Sequence, residues 1–280
     1  MPTVRRAVVD GLLYPAAPEL LRARIAECLA GAAAVAAHCP KVIVVPHAGY
    51  DYCGAVAACA YALLAPPCAG AIHRVVLLGP VHRMALELIA ASTAQAFETP
   101  LGRVPIDIDA LAALADLPQV MRNDRTHERE HSLEVQLPFL QALLGAFTLV
   151  PLIVGDVAAE AMAQVLERLW GGDETLLVIS SDLSHYLPYE QAQALDQATA
   201  QRILHLDASL TRNEACGAAA INGALLAARR HGLAPHLLDL RNSGDTAGER
   251  DRVVGYAALA FAANDARTAP PAPTPSRPSD

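Results

Sequence analysis

The chain has 280 residues, of which 53% are hydrophobic and 18% are charged. This composition supplies a sizeable apolar core and excludes a globally disordered chain. The formal net charge of −8 disfavours nucleic acid and anionic membrane surfaces as partners, because both require a basic patch on the protein. Charged residues interrupt the apolar runs, so the sequence predicts neither a signal peptide nor a transmembrane helix.

The six cysteines contain no C-x-x-C pair and show no regular spacing. Cysteines of a cytosolic protein are usually reduced and often simply buried, and this is the expectation for Cys28, Cys53, Cys59 and Cys68. Together with the absence of targeting signals, this predicts a soluble, cytoplasmic protein.

Strands alternate with helices along the chain. Helices are predicted over residues 19–37, 55–65, 108–115, 131–144, 157–170, 189–206 and 216–230. Strands are predicted over residues 42–45, 75–78, 86–90, 148–154, 175–179, 236–240 and 253–262. Pro151 places its strand at a sheet edge or at a bend, and the polar residues 239–251 predict a surface loop. The pattern predicts one α/β domain over residues 1–264, followed by a disordered Pro-rich tail over residues 265–280.

Three buried strands end in polar side chains. His47 follows V-I-V-V-P, His82 follows V-V-L-L-G-P-V, and Asp182 and His185 lie just beyond L-L-V-I-S. Open α/β sheets bind ligands at the carboxyl ends of their strands, and imidazole is a common ligand of zinc, copper and iron. The sequence therefore predicts one shared site, although each histidine taken alone is also compatible with an ordinary loop residue.

Two further features point to chemistry at this site. Cys216 begins a predicted helix, whose dipole would lower the thiol pKa and favour a thiolate ligand or nucleophile. Asp182 and His185 would share a face if the chain turned helically there, and the carboxylate would then orient the imidazole as a general base. Alternatively, Asp182 caps the following turn.

Residues His127 to His131 match the H-E-x-x-H pattern of zinc proteases. That pattern requires both histidines on one established apolar helix, whereas polar residues precede it here. We therefore disfavour the protease interpretation. His131, at the start of an apolar stripe, is still expected to line the site, with Glu134 on the same helix face.

Motifs along nearly the whole chain before the tail resemble the Memo family, known in prokaryotes as AmmeMemoRadiSam system protein B. They include P-H-A-G-Y-D-Y-C-G-A-V-A-A-C-A-Y, V-V-L-L-G-P-V-H, E-R-E-H-S-L-E-V-Q-L-P-F-L and S-S-D-L-S-H-Y. The departures are Cys53, where the family pattern leads us to expect Ser, and Val81, where Ser or Thr is usual.

The resemblance implies a fold like the class III extradiol dioxygenases, a three-layer αβα sandwich around a mixed, largely parallel sheet. It also implies a non-haem Fe(II) site with His47, His82 and Cys216 as ligands, the cysteine replacing a carboxylate; copper and zinc are alternative metals. His185, Asp182 and His131 are the implied catalytic residues.

The function implied by the resemblance is that of an iron-dependent redox enzyme acting on an unknown small molecule. One alternative is a catalytically inactive scaffold that binds a protein or peptide in the same cleft. Another is a zinc hydrolase that uses the same ligands. The resemblance further implies an association with a radical-SAM protein and an AMMECR-like protein.

Overall fold

The computed structural model describes residues 3–32, 39–65 and 68–263, so the expected tail over residues 265–280 lies outside the described residues. The strands are β1 (Val4–Arg5), β2 (Val42–Val45), β3 (Arg74–Pro80), β4 (Ile89–Ala91), β5 (Ala96–Thr99), β6 (Gly102–Pro105), β7 (Val120–Arg122), β8 (Thr148–Val154), β9 (Thr175–Ser180), β10 (His185–Leu187), β11 (Leu233–Asn242) and β12 (Val253–Ala263). The helices are α1 (Pro18–Ala30), α2 (Tyr50–Tyr61), α3 (Ile108–Ala112), α4 (Asp124–Glu128), α5 (Leu137–Leu144), α6 (Ala159–Leu169), α7 (Tyr189–Leu204) and α8 (Ala218–Arg230).

A nine-stranded mixed sheet forms the centre of the domain, in the order β10-β12-β2-β9-β3-β8-β4-β7 with β11 paired to β12. Its inner strands β2, β9, β3 and β8 are parallel. They consist of almost continuous buried apolar residues, because helices cover both faces of the sheet. Helices α1, α2 and α5 pack on one face, while α6 and α8 pack together on the other and α7 lies against β11 and β12. The predicted single-domain αβα sandwich is confirmed, whereas its kinship with the extradiol dioxygenases stays a prediction.

Pro151 lies inside the sheet, so the first of its two predicted alternatives, a position in an edge strand, is wrong. Strand β8 runs between β3 and β4. On the β4 side, Leu149 forms an isolated bridge with Ile106, and the pairing with β4 begins at Leu152, opposite Ala91. Backbone groups alternate in direction along a strand, so Pro151 faces the gap between these two pairings, where its missing N–H removes no ladder hydrogen bond.

Two predicted element boundaries also differ from the observed ones. The loop predicted over residues 239–251 begins only after Asn242, because β11 continues along β12 and Arg241 forms an ion pair with Asp239 on the strand. The helix predicted over residues 131–144 begins at Leu137, because Pro138 is tolerated only in a first turn.

Cysteine 68 is not a reduced, buried thiol as expected, because Cys39 and Cys68 form a disulfide. Cys39 precedes β2 and Cys68 lies in a short 3-10 turn before β3, so the bond joins the entries to two strands of the parallel core. Among the described residues, Cys28 and Cys53 are free and buried, as expected. None of the described helices combines the length and the apolar character that a membrane span requires.

Glu134 anchors the N-terminal segment instead of facing the site beside His131. Its side chain is 0% exposed and forms an ion pair with Arg5. The same carboxylate accepts hydrogen bonds from the backbone N–H groups of Val8 and Val9, both at 3.0 Å, and from the Tyr14 hydroxyl at 2.6 Å. A single buried carboxylate therefore ties residues 5–14 to the body of the domain.

Replacing Glu134 with Gln should lower the free energy of unfolding by about 3 kcal/mol or more, because the Arg5 guanidinium would remain buried without its counter-charge. Urea denaturation measures this change. The matched control is Glu27→Gln in the exposed Arg24–Glu27 pair, where a loss of no more than about 0.5 kcal/mol is expected. Equal effects of the two substitutions would contradict the anchoring role.

His127 belongs to the core and not to a protease motif. Helix α4 ends at Glu128, so the two histidines of the H-E-x-x-H pattern do not share one helix. The His127 side chain is 2% exposed, packs edge-on against the Phe97 ring and places Nε2 3.0 Å from the Ala90 carbonyl oxygen. Burial lowers the pKa of His127 from 6.5 to about 4, and it does the same for His47.

These two histidines should make the protein less stable as the pH falls from 6.5 to 4. In this window the unfolded chain binds protons on both imidazoles while the folded chain does not, so acid favours unfolding by up to about 1.4 kcal/mol per pH unit for each group. His127→Gln preserves a donor for the Ala90 carbonyl but does not titrate, and it should flatten the pH dependence measured by urea denaturation. An unchanged slope, equal to that of the exposed control His236→Gln, would contradict this assignment.

Candidate metal centre

The site is built where three adjacent parallel strands end. Val45 is paired with Ser180, and Leu78 with Ile179, so β2, β9 and β3 finish at the same edge of the sheet. The chain places His47, Asp182 and His82 two residues beyond these three strands. The predicted meeting of strand ends is confirmed, because the ring centroids of His47 and His82 lie 5.1 Å apart.

Cys216 joins the two histidines from the segment that leads into α8. One donor atom from each of His47, His82 and Cys216 lies within 4.8 Å of the other two, and His47 Nε2 is 3.4 Å from the Cys216 sulfur. The Cys216 backbone N–H donates to the Asp182 carbonyl at 3.2 Å, while the Asp182 N–H points at Sγ from 3.3 Å. The sulfur is thus held directly beside the end of β9.

A helix dipole was expected to activate the Cys216 thiol, but the structure does not show this. Helix α8 begins at Ala218, so Cys216 precedes its first turn. Burial, together with the nearby Asp182 carboxylate, raises the pKa of Cys216 to about 12. The protein alone therefore keeps this thiol protonated, and a bound metal ion would have to displace the proton.

The proton on the His47 ring can be placed from its hydrogen bonds. His47 Nδ1 lies 2.9 Å from Ser180 Oγ. That hydroxyl donates its single proton to the Ser132 carbonyl at 2.5 Å and accepts a hydrogen bond from Gln136 Nε2 at 2.8 Å. His47 Nδ1 must therefore be the donor, and its Nε2 carries a lone pair directed toward Cys216.

Glu130 performs the corresponding task for His82. One carboxylate oxygen lies 2.9 Å from His82 Nδ1 and 3.2 Å from His131 Nδ1. Backbone N–H groups of His82, His131 and Ser132 also donate to this carboxylate. Burial opposes its ionisation, but the hydrogen bonds from His131 and His82 outweigh it and hold the pKa of Glu130 well below its usual range. Both imidazoles therefore donate from Nδ1 and direct Nε2 away from the carboxylate.

His131 lines the site as predicted. Its ring centroid lies 5.4 Å from that of His47 and 4.8 Å from that of His82. His82, Glu130 and His131 form a second group of donor atoms within 4.8 Å of one another. Sequence analysis missed Glu130, whose only signal was its place beside His131 in a motif that we disfavoured for another reason.

Asp182 and His185 do not form the expected pair. The chain does not turn helically between them, and β10 begins at His185. The Asp182 carboxylate instead accepts a hydrogen bond from the His47 backbone N–H at 2.8 Å. His185 Nδ1 lies 2.8 Å from the Leu183 carbonyl oxygen, which fixes Nδ1 as the donor.

A different carboxylate, which sequence analysis missed, lies near His185. Asp196 of α7 is 2% exposed and accepts a hydrogen bond from the Ser184 backbone N–H at 2.9 Å. Within the described residues its second oxygen has no hydrogen-bond partner, and burial raises its pKa while the nearby His185 opposes the rise. Asp196 lies eleven positions beyond His185 on another element, so no local pattern in the sequence indicates this proximity.

A cleft of about 570 Å³ opens beside the donor atoms. It is lined by polar and aromatic residues, namely His82, His185, Tyr186, Arg212, Asn213 and Cys216, and by several apolar side chains. Its volume falls within the range of small-molecule sites. Two imidazole nitrogens and one sulfur that converge on one point, next to such a cleft, fit a metal ion with an open coordination position, and this donor set suits iron, zinc or copper.

Comparisons with known proteins identify the family. A family model described as "Memo-like protein" matches residues 5–260. A MEMO1 family protein of Methanopyrus kandleri is 36% identical in an alignment of 283 positions that covers 92% of this chain and 98% of that protein. MEMO1 family proteins of Archaeoglobus fulgidus and Aquifex aeolicus are 35% and 34% identical, and each alignment covers 92% of this chain and 99% of the relative. The motifs read from the sequence and these matches agree that the chain belongs to the Memo family.

Proposed function

We propose that this protein is a metal-dependent redox enzyme that holds non-haem iron on His47, His82 and Cys216 and acts on a small molecule in the adjacent cleft. The observation that carries the proposal is the direction of the three donors. Hydrogen bonds from Nδ1 of His47 to Ser180 and from Nδ1 of His82 to Glu130 leave both Nε2 lone pairs available near the Cys216 sulfur. Such outer hydrogen bonds are what orients histidine ligands in metalloproteins.

The residues around the donors have separate tasks in this proposal. Iron, when bound, would supply one-electron redox chemistry at a position open to the cleft. His185 takes up or returns a proton at Nε2, because its Nδ1 proton is engaged by the Leu183 carbonyl. Asp182 keeps a place in the site by fixing the backbone of His47 and not by orienting His185. His131 shares the Glu130 carboxylate with His82 and adds a third imidazole beside the donors.

The choice of iron rests on the resemblance to the extradiol dioxygenases, because two imidazoles and a thiolate also bind zinc and copper. A zinc hydrolase would use the same three ligands, and an inactive scaffold would use the cleft without needing them. Association with a radical-SAM protein and an AMMECR-like protein remains part of the proposal and rests on the family resemblance.

Protein purified without oxygen should contain nearly stoichiometric iron, and His47→Ala, His82→Ala and Cys216→Ser should each lose it because each removes one of three ligands. Elemental analysis measures the metal, and circular dichroism checks that the variants remain folded. His236→Ala, which removes an exposed histidine, is the control and should retain full metal content.

Metal retained by the folded His47 and His82 variants would contradict the assigned ligands. Zinc in place of iron would move the proposal to hydrolysis on the same residues. A folded wild-type protein that takes up none of these metals would favour the scaffold.

Glu130→Gln should weaken metal binding by about 10- to 100-fold, because the amide lacks the negative charge that attracts the Nδ1 protons of His82 and His131, and its NH2 group cannot accept the hydrogen bond from the His82 backbone N–H. Competition with a metal chelator at constant pH measures the dissociation constant. The control is Glu128→Gln, two residues away and exposed, which should leave the affinity unchanged. A folded Glu130→Gln protein with wild-type affinity would show that this carboxylate does not support the metal ligands.

A further inference from the structure

The cleft beside the metal donors has walls of two kinds. Apolar side chains, among them Val81, Leu187 and Leu195, contribute much of its lining. Arg212 and Asn213 provide polar groups on the segment that leads into Cys216. A mostly apolar cavity with a few directed polar groups is the usual form of a small-molecule site, and the polar groups set which molecule it accepts.

Arg212 is a cation without a counter-charge inside this cleft. It is exposed, and among the described residues no carboxylate lies within ion-pair distance of it. The nearest carboxylate in the sequence, Glu214, is engaged by Arg202 and by the backbone N–H and hydroxyl of Thr211. In a protein with a net charge of −8, an unpaired arginine at a cleft is available to an anionic ligand.

The segment that carries Arg212 is held in place at both of its ends. Leu210 exchanges two hydrogen bonds with the Asn222 side chain of α8, each of 2.9 Å. Cys216 donates its backbone N–H to Asp182 at 3.2 Å. The guanidinium is therefore tethered to a fixed backbone, four residues before a proposed metal ligand, and is not on a free loop.

Tyr186 lines the same cleft in a strained backbone conformation. Its φ angle is +59°, in the left-handed region that non-glycine residues rarely adopt, and its side chain is 63% exposed. The Arg252 guanidinium lies 5.2 Å from the ring centroid. An exposed aromatic residue with a strained backbone is typical of a binding site, because packing of the core does not require an exposed ring.

We infer that the cleft binds a small organic acid, with its carboxylate on Arg212 and Asn213 and its apolar body against Tyr186 and Leu187. This arrangement would leave the rest of the molecule next to His82 and Cys216. The inference rests on the proposed function only in taking the cleft as the substrate site, since recognition of the carboxylate by Arg212 requires no metal.

The test compares phenylacetate with phenylacetamide, a neutral molecule of nearly the same shape, on the full-length protein with metal and after chelation. Binding is followed by calorimetry or ligand-observed NMR. The acid should bind at least about 10-fold more tightly than the amide. Arg212→Gln should weaken binding of the acid by about 10- to 100-fold and leave binding of the amide unchanged. Arg229→Gln, at an exposed arginine of α8 outside the cleft, is the matched control and should behave as wild type.

A second variant separates binding from folding. Tyr186→Gly removes the aromatic surface but relieves the left-handed backbone, so it should weaken both probes and leave Tm equal or higher. Equal affinity for acid and amide, an unaffected Arg212→Gln protein, or no binding of the acid by wild type would overturn the inference. Because the chelated protein is tested as well, these outcomes are distinct from loss of metal in the ligand variants, which bears on the proposed function alone.

Discussion

The hydrogen bond from His47 Nδ1 to Ser180 Oγ, 2.9 Å long, is the contact on which the site depends. It joins the ends of β2 and β9, whose pairing of Val45 with Ser180 sets the two residues side by side. The Gln136 side chain extends this contact by donating to both Ser180 and the Pro46 carbonyl, while the Tyr61 hydroxyl donates to Gln136 in turn. The orientation of His47 is thus fixed by strand register and by a connected network of buried hydrogen bonds.

The charges around the donors favour the arrival of a cation. His47 is neutral near pH 7 because burial lowers its pKa, and Cys216 is protonated because burial raises its pKa. Glu130, by contrast, stays ionised beside His82 and His131. A divalent ion would convert the buried thiol into a thiolate and gain the attraction of two anions, Cys216 and Glu130. Metal binding would therefore release a proton from a group that burial otherwise keeps uncharged.

The parts of the site that follow from local sequence were predictable. His47 and His82 each come after a buried apolar run and a proline, and the location of both could be predicted because strand ends are encoded within a few residues. Their partners Ser180 and Glu130 could not be found this way, since each partner is selected by strand register or by a distant loop. The prediction of an Asp182–His185 pair was wrong for the same reason: it assumed a local helical turn, whereas the Asp182 carboxylate accepts a hydrogen bond from the His47 backbone at the end of the neighbouring strand. The prediction of an edge strand at Pro151 was wrong for a similar reason, because the gap in pairing that accommodates this proline depends on Ile106 and β4.

The segment from Leu210 to Cys216 connects recognition to chemistry. It carries Arg212 at the cleft and Cys216 at the metal donors, and Asn222 of α8 and the Asp182 carbonyl hold it at its two ends. The ion pair of Glu214 with Arg202 stiffens it between these points. A substrate anchored on Arg212 would be positioned relative to the metal by only a few residues of fixed backbone, and such short, rigid connections allow binding to align the reacting atoms. Hydrogen bonds that look purely structural, such as those of Asn222 and Glu214, therefore bear on how a bound acid would meet the metal.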